Sequence, residues 1–472
     1  MYHKLSQDKA DFATLLDQTH LYNQAFIQQI EQQSPHIATN ELPYQSIPSE
    51  GIGAQATLAA FDDRFRPYVQ ASGGPRYFGF VIGGSTPASL MGDFMTSTFD
   101  QTNSSIQDIV EKEAVQNLRE LFQLPTSFQG NFVTGATMAN FSGLAVARQW
   151  IGQQAGISIA EEGLGSLKPI KILSAKPHSS IYKSLAMLGL GKHNLEKVAS
   201  IAGREAIDIK ALEALLQKQD ASQPCIVVAS AGTVNTGDFD NLTALGRLKK
   251  QYKFWLHVDG AFGGFAACSP LLAHYWQGIE YADSITIDAH KWLNVPYDAA
   301  VIFTQHQALQ REVFSNNAVY LDTDPSQINF MDLTPENSRR WRGLPVWFTL
   351  KAYGKKGYQE IVERNYHHAQ QLSAKIQEDH RFELLAPARL NVVCFTLKNH
   401  TAELVTQEQI KSFLNHLAST GEVFLSPTVY EGTPAIRAAF SNWRTQEADV
   451  QQAWETLQTI YDQTQTPSSV SQ

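Results

Sequence analysis

The chain has 472 residues, 43% of them hydrophobic and 18% charged, with a formal net charge of −9. That length exceeds one compact core and implies two or three lobes, and the composition is that of a globular protein rather than a disordered or fibrous one. The acidic balance speaks against a nucleic-acid or anionic-membrane partner, and no apolar run reaches the roughly 18 residues of a membrane span. Three cysteines, Cys225, Cys268 and Cys394, are too few for a disulfide framework and suit a reducing, cytoplasmic setting. The N-terminus is polar, without a signal-peptide core, and no metal-ligand spacing occurs.

Residues 1 to about 33 read as helical, with Phe12, Leu15, Leu16, Leu21 and Phe26 on one face. A loop carrying Pro35, Pro43 and Pro48 follows. Tyr77, Phe78 and Phe80 then suggest an aromatic wall for a ligand, or core packing, while Arg76 beside them keeps an acidic ligand open. From about 75 to 345, short β-rich runs alternate with helical ones, the signature of a parallel sheet. Gly130 to Val133 feeds a turn at Gly135 and then a helix; free backbone N–H groups at that helix start, around Gly135 and Ala136, with the Thr137 hydroxyl as a further donor, form an anion site, or simply a cap. Ile170 to Ser174 ends before His178, whose imidazole can stack on a flat ligand. Cys225 to Ser230 runs into a small polar loop containing Thr233.

Phe254 to Asp259 is an apolar strand ending in a carboxylate, followed by Gly260 and Ala261. A carboxylate at the C-terminal end of a parallel strand points into the crevice where open α/β sheets bind ligands. There it can hold a pyridine nitrogen protonated, as pyridoxal phosphate requires. Ser284 to Asp288 is a further strand, and His290 and Lys291 stand just past it. Burial disfavours a charged amine, and a neutral lysine attacks aldehydes to form a Schiff base. Leu344 and Pro345 open a long helix through Tyr366. Asn391 to Thr396 and Ala435 to Phe440 are strands of a smaller domain, and the Thr/Ser/Gln/Pro-rich tail from 464 is a disordered segment.

Phosphate donors, a stacking ring, a carboxylate and an amine, in that order, resemble the group II pyridoxal-phosphate-dependent amino acid decarboxylases, which include aromatic amino acid, histidine, glutamate and cysteine sulfinate enzymes. The resemblance rests on His290-Lys291-Trp292, Trp255-Leu256-His257-Val258-Asp259, Pro177-His178-Ser179-Ser180, Pro75 to Phe80, and Ser338-Arg339-Arg340 with Trp347-Phe348. It spans roughly residues 40 to 460. It implies an α/β fold of PLP-dependent transferase fold type I, with a mainly parallel sheet in a large domain and a smaller C-terminal α+β domain. The expected division is 1–74 helical segment, 75–345 cofactor domain, 346–463 small domain and 464–472 tail. It also implies a homodimer with the active site near the subunit interface.

On this reading Lys291 forms the Schiff base, Asp259 protonates the ring nitrogen, and His178 and Ala261 flank the ring. Gly135, Ala136 and Thr137 hold the phosphate; Thr233 and His290 complete the cofactor set. Tyr77, Phe78 and Phe330 are the substrate-side candidates. Decarboxylation of an L-amino acid, with an aromatic one favoured, leads over an aldehyde-forming or aminotransferase reaction, and over an inactive assembly partner. The aldehyde branch arises because the family's loop tyrosine, which protonates Cα, matches Phe330 by an ungapped count, leaving Tyr320 as the nearby phenol.

Overall fold

The computed structural model of the chain describes residues 1–39, 41–102, 104–219, 224–316, 329–398 and 404–465. Seven strands make the large sheet: β1 (Gln129–Val133), β2 (Ile172–Ser174), β3 (Leu195–Lys197), β4 (Cys225–Ser230), β5 (Phe254–Asp259), β6 (Ser284–Asp288) and β7 (Ala300–Thr304). Their order is β1-β7-β6-β5-β4-β2-β3. From β6 to β3 every pairing is parallel, whereas β7 runs antiparallel to both β6 and β1. The parallel strands are apolar throughout because both faces are covered. In β4, Cys225, Val227 and Ala229 enter one core and Ile226 and Val228 the other.

The same two-residue period sorts β5. Phe254, Leu256 and Val258 join the core with Phe122, Phe265 and Trp292. Trp255, His257 and Asp259 therefore share the opposite face, toward the helix Ala136–Gln154. Gly143 lets that helix lie close: a Cβ there would stand 2.7 Å from His257 Cε1. The parallel register aligns Ser230 with Asp259 and Asp259 with Thr286, so polar strand ends collect at one edge.

The smaller sheet is antiparallel: β8 (Phe382–Leu384), β9 (Val392–Leu397), β10 (Ser426–Tyr430) and β11 (Thr433–Ala439), in the order β10-β11-β9-β8. A helical stretch Gly343–Glu378 leads into it, broken at Gly354, whose φ of 57° and ψ of −167° leave the helical region. It outruns the expected end at Tyr366 because Ala369, Leu372 and Ile376 pack into the small-domain core. Phe78 joins that core too, 4.6 Å from the Phe440 ring between centroids, and Phe78 N–H donates to Phe424 O. The segment after Pro75 thus straddles both lobes.

The N-terminal region forms helices His3–Ala10, Phe12–Gln29 and Ala54–Arg64, none with a buried residue. Phe12, Leu16, Leu21, Phe61 and Phe65 stay exposed. Among the described residues no helix is long and apolar enough to cross a membrane. Tyr320, the loop from 321 through 328 and most of the expected tail lie outside the described residues.

Candidate active site

A cavity of about 380 Å³ opens at the C-terminal ends of β4, β5 and β6. Ala136, His178, Thr233, Asp259, Ala261 and Lys291, six of the residues singled out by sequence, line it. Asp259 is held at its base: Oδ2 accepts from Asn140 Nδ2 at 3.0 Å and Oδ1 from Ala261 N–H at 3.2 Å. Lys291 Nζ lies 3.9 Å from Asp288 Oδ2 and 5.6 Å from the Phe262 ring centroid. His178 caps the helix Ser179–Met187, its Nδ1 accepting from Ser180 N–H. The surrounding walls desolvate the His178 imidazole and lower its pKa, against the pull of Asp259, although the ring is exposed to the open cavity.

Gly135 is the N-cap of Ala136–Gln154, in extended backbone with φ −176°. Its smallness clears His290, since a Cβ would sit 3.2 Å from His290 Cε1. Ala136 N–H donates to Asp288 Oδ2 at 3.2 Å. Thr137 lies in the same first turn without lining the cavity. His290 stands behind the cavity, its ring tilted against Tyr297 with centroids 4.1 Å apart, and with Nε2 3.1 Å from Asp288 Oδ1. The Thr233 hydroxyl turns into its own loop, toward Thr236 and Asp238 N–H.

The expected substrate residues are placed elsewhere. Tyr77 is buried against Phe424, with ring centroids 4.8 Å apart, and Phe78 is the small-domain core residue described above. Both are drawn off because their segment pairs with the small domain; Phe80, the third ring of that run, lines the cavity as expected, with Val81 and Ile82. Arg76 pairs with Asp449 at 3.3 Å and donates to Glu422 O, away from the cavity. Phe330 is buried under the Arg339 guanidinium, 5.5 Å from its ring centroid, and faces a separate groove with Asp108 and Lys112. Arg339 is fixed there by a two-pronged contact with Glu111, at 3.1 and 2.6 Å.

Sequence reasoning missed Lys176, Val234, Tyr297 and Arg437, all lining the cavity. Arg437 comes from β11 of the small domain, donates to Val234 O at 2.7 Å, and leaves Nε without a partner. Among the described residues no carboxylate lies within ion-pair distance of it, and burial lowers its pKa. A cation inside the apolar run Ile436-Arg437-Ala438 was the available signal.

His257, fully buried behind Asp259, has its pKa pushed down to about 4 by desolvation. An unfolded histidine titrates near 6.5, so below that pH the unfolded state binds a proton that the folded state refuses. Stability from this group is complete above about pH 6.5 and is lost as pH falls toward 4. Between pH 7.5 and 5 the wild type should lose about 2 kcal/mol more than His257→Gln. Unfolding midpoints in urea at both pH values check this; equal losses would refute it.

The cavity suits pyridoxal phosphate: an acceptor carboxylate at the base, an amine across from it, and a helix N-terminus beside both. The family model for the "Pyridoxal-dependent decarboxylase conserved domain" matches residues 39–398. The chain is 27% identical over 414 residues to an aromatic-L-amino-acid decarboxylase of Bacillus atrophaeus, covering 85% of this chain and 84% of that one. It is 26% identical over 414 residues to tryptophan decarboxylase 2 of Oryza sativa subsp. japonica, covering 84% and 83%. The crystal structure of Oryza sativa TDC with PLP and tryptamine superposes with a TM-score of 0.88 at 22% identity, over 96% of this chain and 98% of that one.

Proposed function

The chain belongs to the pyridoxal-dependent decarboxylase family and is a pyridoxal-phosphate-dependent amino acid decarboxylase; from that premise we propose that its substrate is an aromatic L-amino acid, released as the amine and carbon dioxide. The observation that carries the reading is the meeting of Lys291, Asp259 and His178 in one cavity whose other walls include Phe80, Val81, Ile82, Val234, Phe262 and Tyr297. An apolar, aromatic-rich wall with a few convergent polar groups suits a flat apolar side chain. Both curated relatives are named for aromatic substrates or for tryptophan.

Bound pyridoxal phosphate supplies the electron sink that takes up the pair left at Cα when carbon dioxide departs. Lys291 provides the amine that anchors it. Asp259, an acceptor with a donor already on each oxygen, keeps a proton on the ring nitrogen. The phosphate would sit at the helix start formed by Gly135, Ala136 and Thr137, with Ala136 N–H turning to it from Asp288. His178 and Ala261 would wall the space for the ring, and the His178 imidazole would be the group at hand to return a proton to the substrate. Thr233 bounds the same space from the β4 loop, and His290 stands beside Asp288, next to Lys291. Arg437, which has no carboxylate within ion-pair distance among the described residues and an unpartnered Nε, suits a substrate carboxylate.

Each common L-amino acid should be screened for release of carbon dioxide, with amine and aldehyde both measured. Tryptophan, tyrosine or phenylalanine should turn over best and yield amine. Exclusive turnover of glutamate or aspartate would defeat the aromatic assignment, and aldehyde that disappears without oxygen would move the enzyme to the oxidative branch.

The reading includes a homodimer in the cytoplasm. Three N-terminal helices with no buried residue, together with exposed Met91, Phe94 and Phe99, leave apolar side chains that a second copy would cover. Sedimentation should give a mass twice that of one chain, and a fully active monomer would overturn it. The three cysteines are free, as a reducing compartment keeps them. Recovery of the protein with exported markers on fractionation would refute that placement.

A further inference from the structure

Behind Asp259 lies a chain of fully buried polar groups that the reaction itself does not touch. Asn140, Trp255, His257, Ser284 and Thr286 are all 0% exposed. Their hydrogen-bond directions can be derived one after another, starting from the carboxylate.

Asp259 only accepts, so the group of Asn140 facing its Oδ2 is the amide nitrogen. Asn140 Oδ1 then faces His257 Nε2 at 2.9 Å and the Thr286 hydroxyl at 2.7 Å, and both must donate to it. His257 is neutral, because burial holds its pKa near 4, so its Nδ1 accepts. The donor is the Ser284 hydroxyl at 2.8 Å, whose oxygen in turn accepts from Trp255 Nε1 at 2.9 Å. On the other side Asn140 Nδ2 also donates to Ser180 Oγ at 3.0 Å. The Ser180 hydroxyl lies 2.8 Å from His178 Nδ1, which already accepts from Ser180 N–H at 3.2 Å. Every bond in the chain points the same way, from the indole of Trp255 toward Asp259 and His178.

We propose that Asn140 is a positioning residue, oriented by His257, that holds Asp259 as an acceptor, while Ser180 N–H keeps the His178 proton on Nε2. The same amide nitrogen also reaches Ser180 Oγ. The structural reason is geometric: Asn140 lies in the second turn of the helix that Gly143 brings against β5, so its side chain reaches across to both. A flipped amide would set Asn140 N–H against His257 N–H and its oxygen against Asp259, leaving buried donors and acceptors unpaired. The inference rests on the assignment of Asp259 to the ring nitrogen.

The test compares holoenzymes. Asn140→Asp keeps the shape but replaces the donor by an acceptor 3.0 Å from Asp259 Oδ2. Two carboxylates so close share one proton. The pH midpoint of the bound cofactor's visible absorption should move by about one unit or more. Turnover should fall about 10–100-fold, as when outer partners that orient metal-binding side chains are lost. A wild-type midpoint together with wild-type turnover would overturn the proposal. His257→Gln and His257→Met decide the matter if the first variant does not fold. Glutamine can still donate to Asn140 Oδ1 and should keep the wild-type midpoint and turnover; methionine cannot and should shift both. Identical behaviour of the two would overturn the proposal as surely. Asp259→Asn separates this failure from failure of the underlying reading: if it shifts the spectrum and the other variants do not, only the positioning role falls.

Discussion

Lys291→Ala should reduce turnover by on the order of 10³-fold or more, the scale on which loss of a covalent nucleophile acts. It should also abolish the visible absorption of the bound cofactor. Pyridoxal phosphate should still bind, because the helix start at Ala136 and the Asp259 carboxylate are untouched by the change. The expectation follows from placement: Lys291 Nζ lines the cavity 3.9 Å from Asp288 Oδ2, and its backbone is pressed by Gly83, where a Cβ would fall 1.8 Å from Lys291 O. Close packing at Gly83 thus fixes the backbone from which the amine reaches the cavity. Borohydride reduction of the wild-type holoenzyme, followed by peptide mapping, checks the same point from the other direction. A trapped cofactor on any other lysine, or wild-type activity in the alanine variant, would remove Lys291 from its role.

Asp259→Asn should cost about 10²–10³-fold in kcat, the range for losing one electrostatic contact to a developing charge. Its structural effect should be smaller. Asn140 Nδ2 and Ala261 N–H both donate to this side chain, so an amide in its place must turn an N–H toward one of them. One buried donor then lacks an acceptor, at about 1–3 kcal/mol. The variant should fold and bind cofactor more weakly, with the visible band shifted. Nearly full kcat at normal occupancy would make Asp259 a structural residue, and the electronic argument would fail with it.

Much of this was legible in the linear chain because each feature obeyed a local rule. An apolar β-branched run ending in Asp259, another ending before Lys291, and a Gly-Ala-Thr helix start are short-range patterns, and parallel strands buried on both faces read as apolar runs. Strand register then brings their ends to one edge without further instruction. The amphipathic N-terminal helices were legible for the same reason.

Other residues obeyed no local rule. Tyr77 and Phe78 look like a ligand wall in sequence, yet backbone pairing with Phe424 and Ala439 turns Phe78 into the small-domain core and Tyr77 against Phe424. Phe330 matched a loop position by counting, but the Arg339–Glu111 pair sets where its ring lies, and Glu111 is distant in the chain. Arg437 reaches the cavity only because the small domain docks on the β4 loop through Val234. His257 and Asn140 are separated by more than a hundred residues and meet across a helix–sheet interface. Sequence by itself determined the strand ends, the helix start and hence the cofactor chemistry, since these depend on period and neighbouring residues. Tertiary structure alone decided which aromatic rings face the cavity, which cation enters it, and how the amide behind Asp259 points, since these depend on packing between segments far apart in the chain.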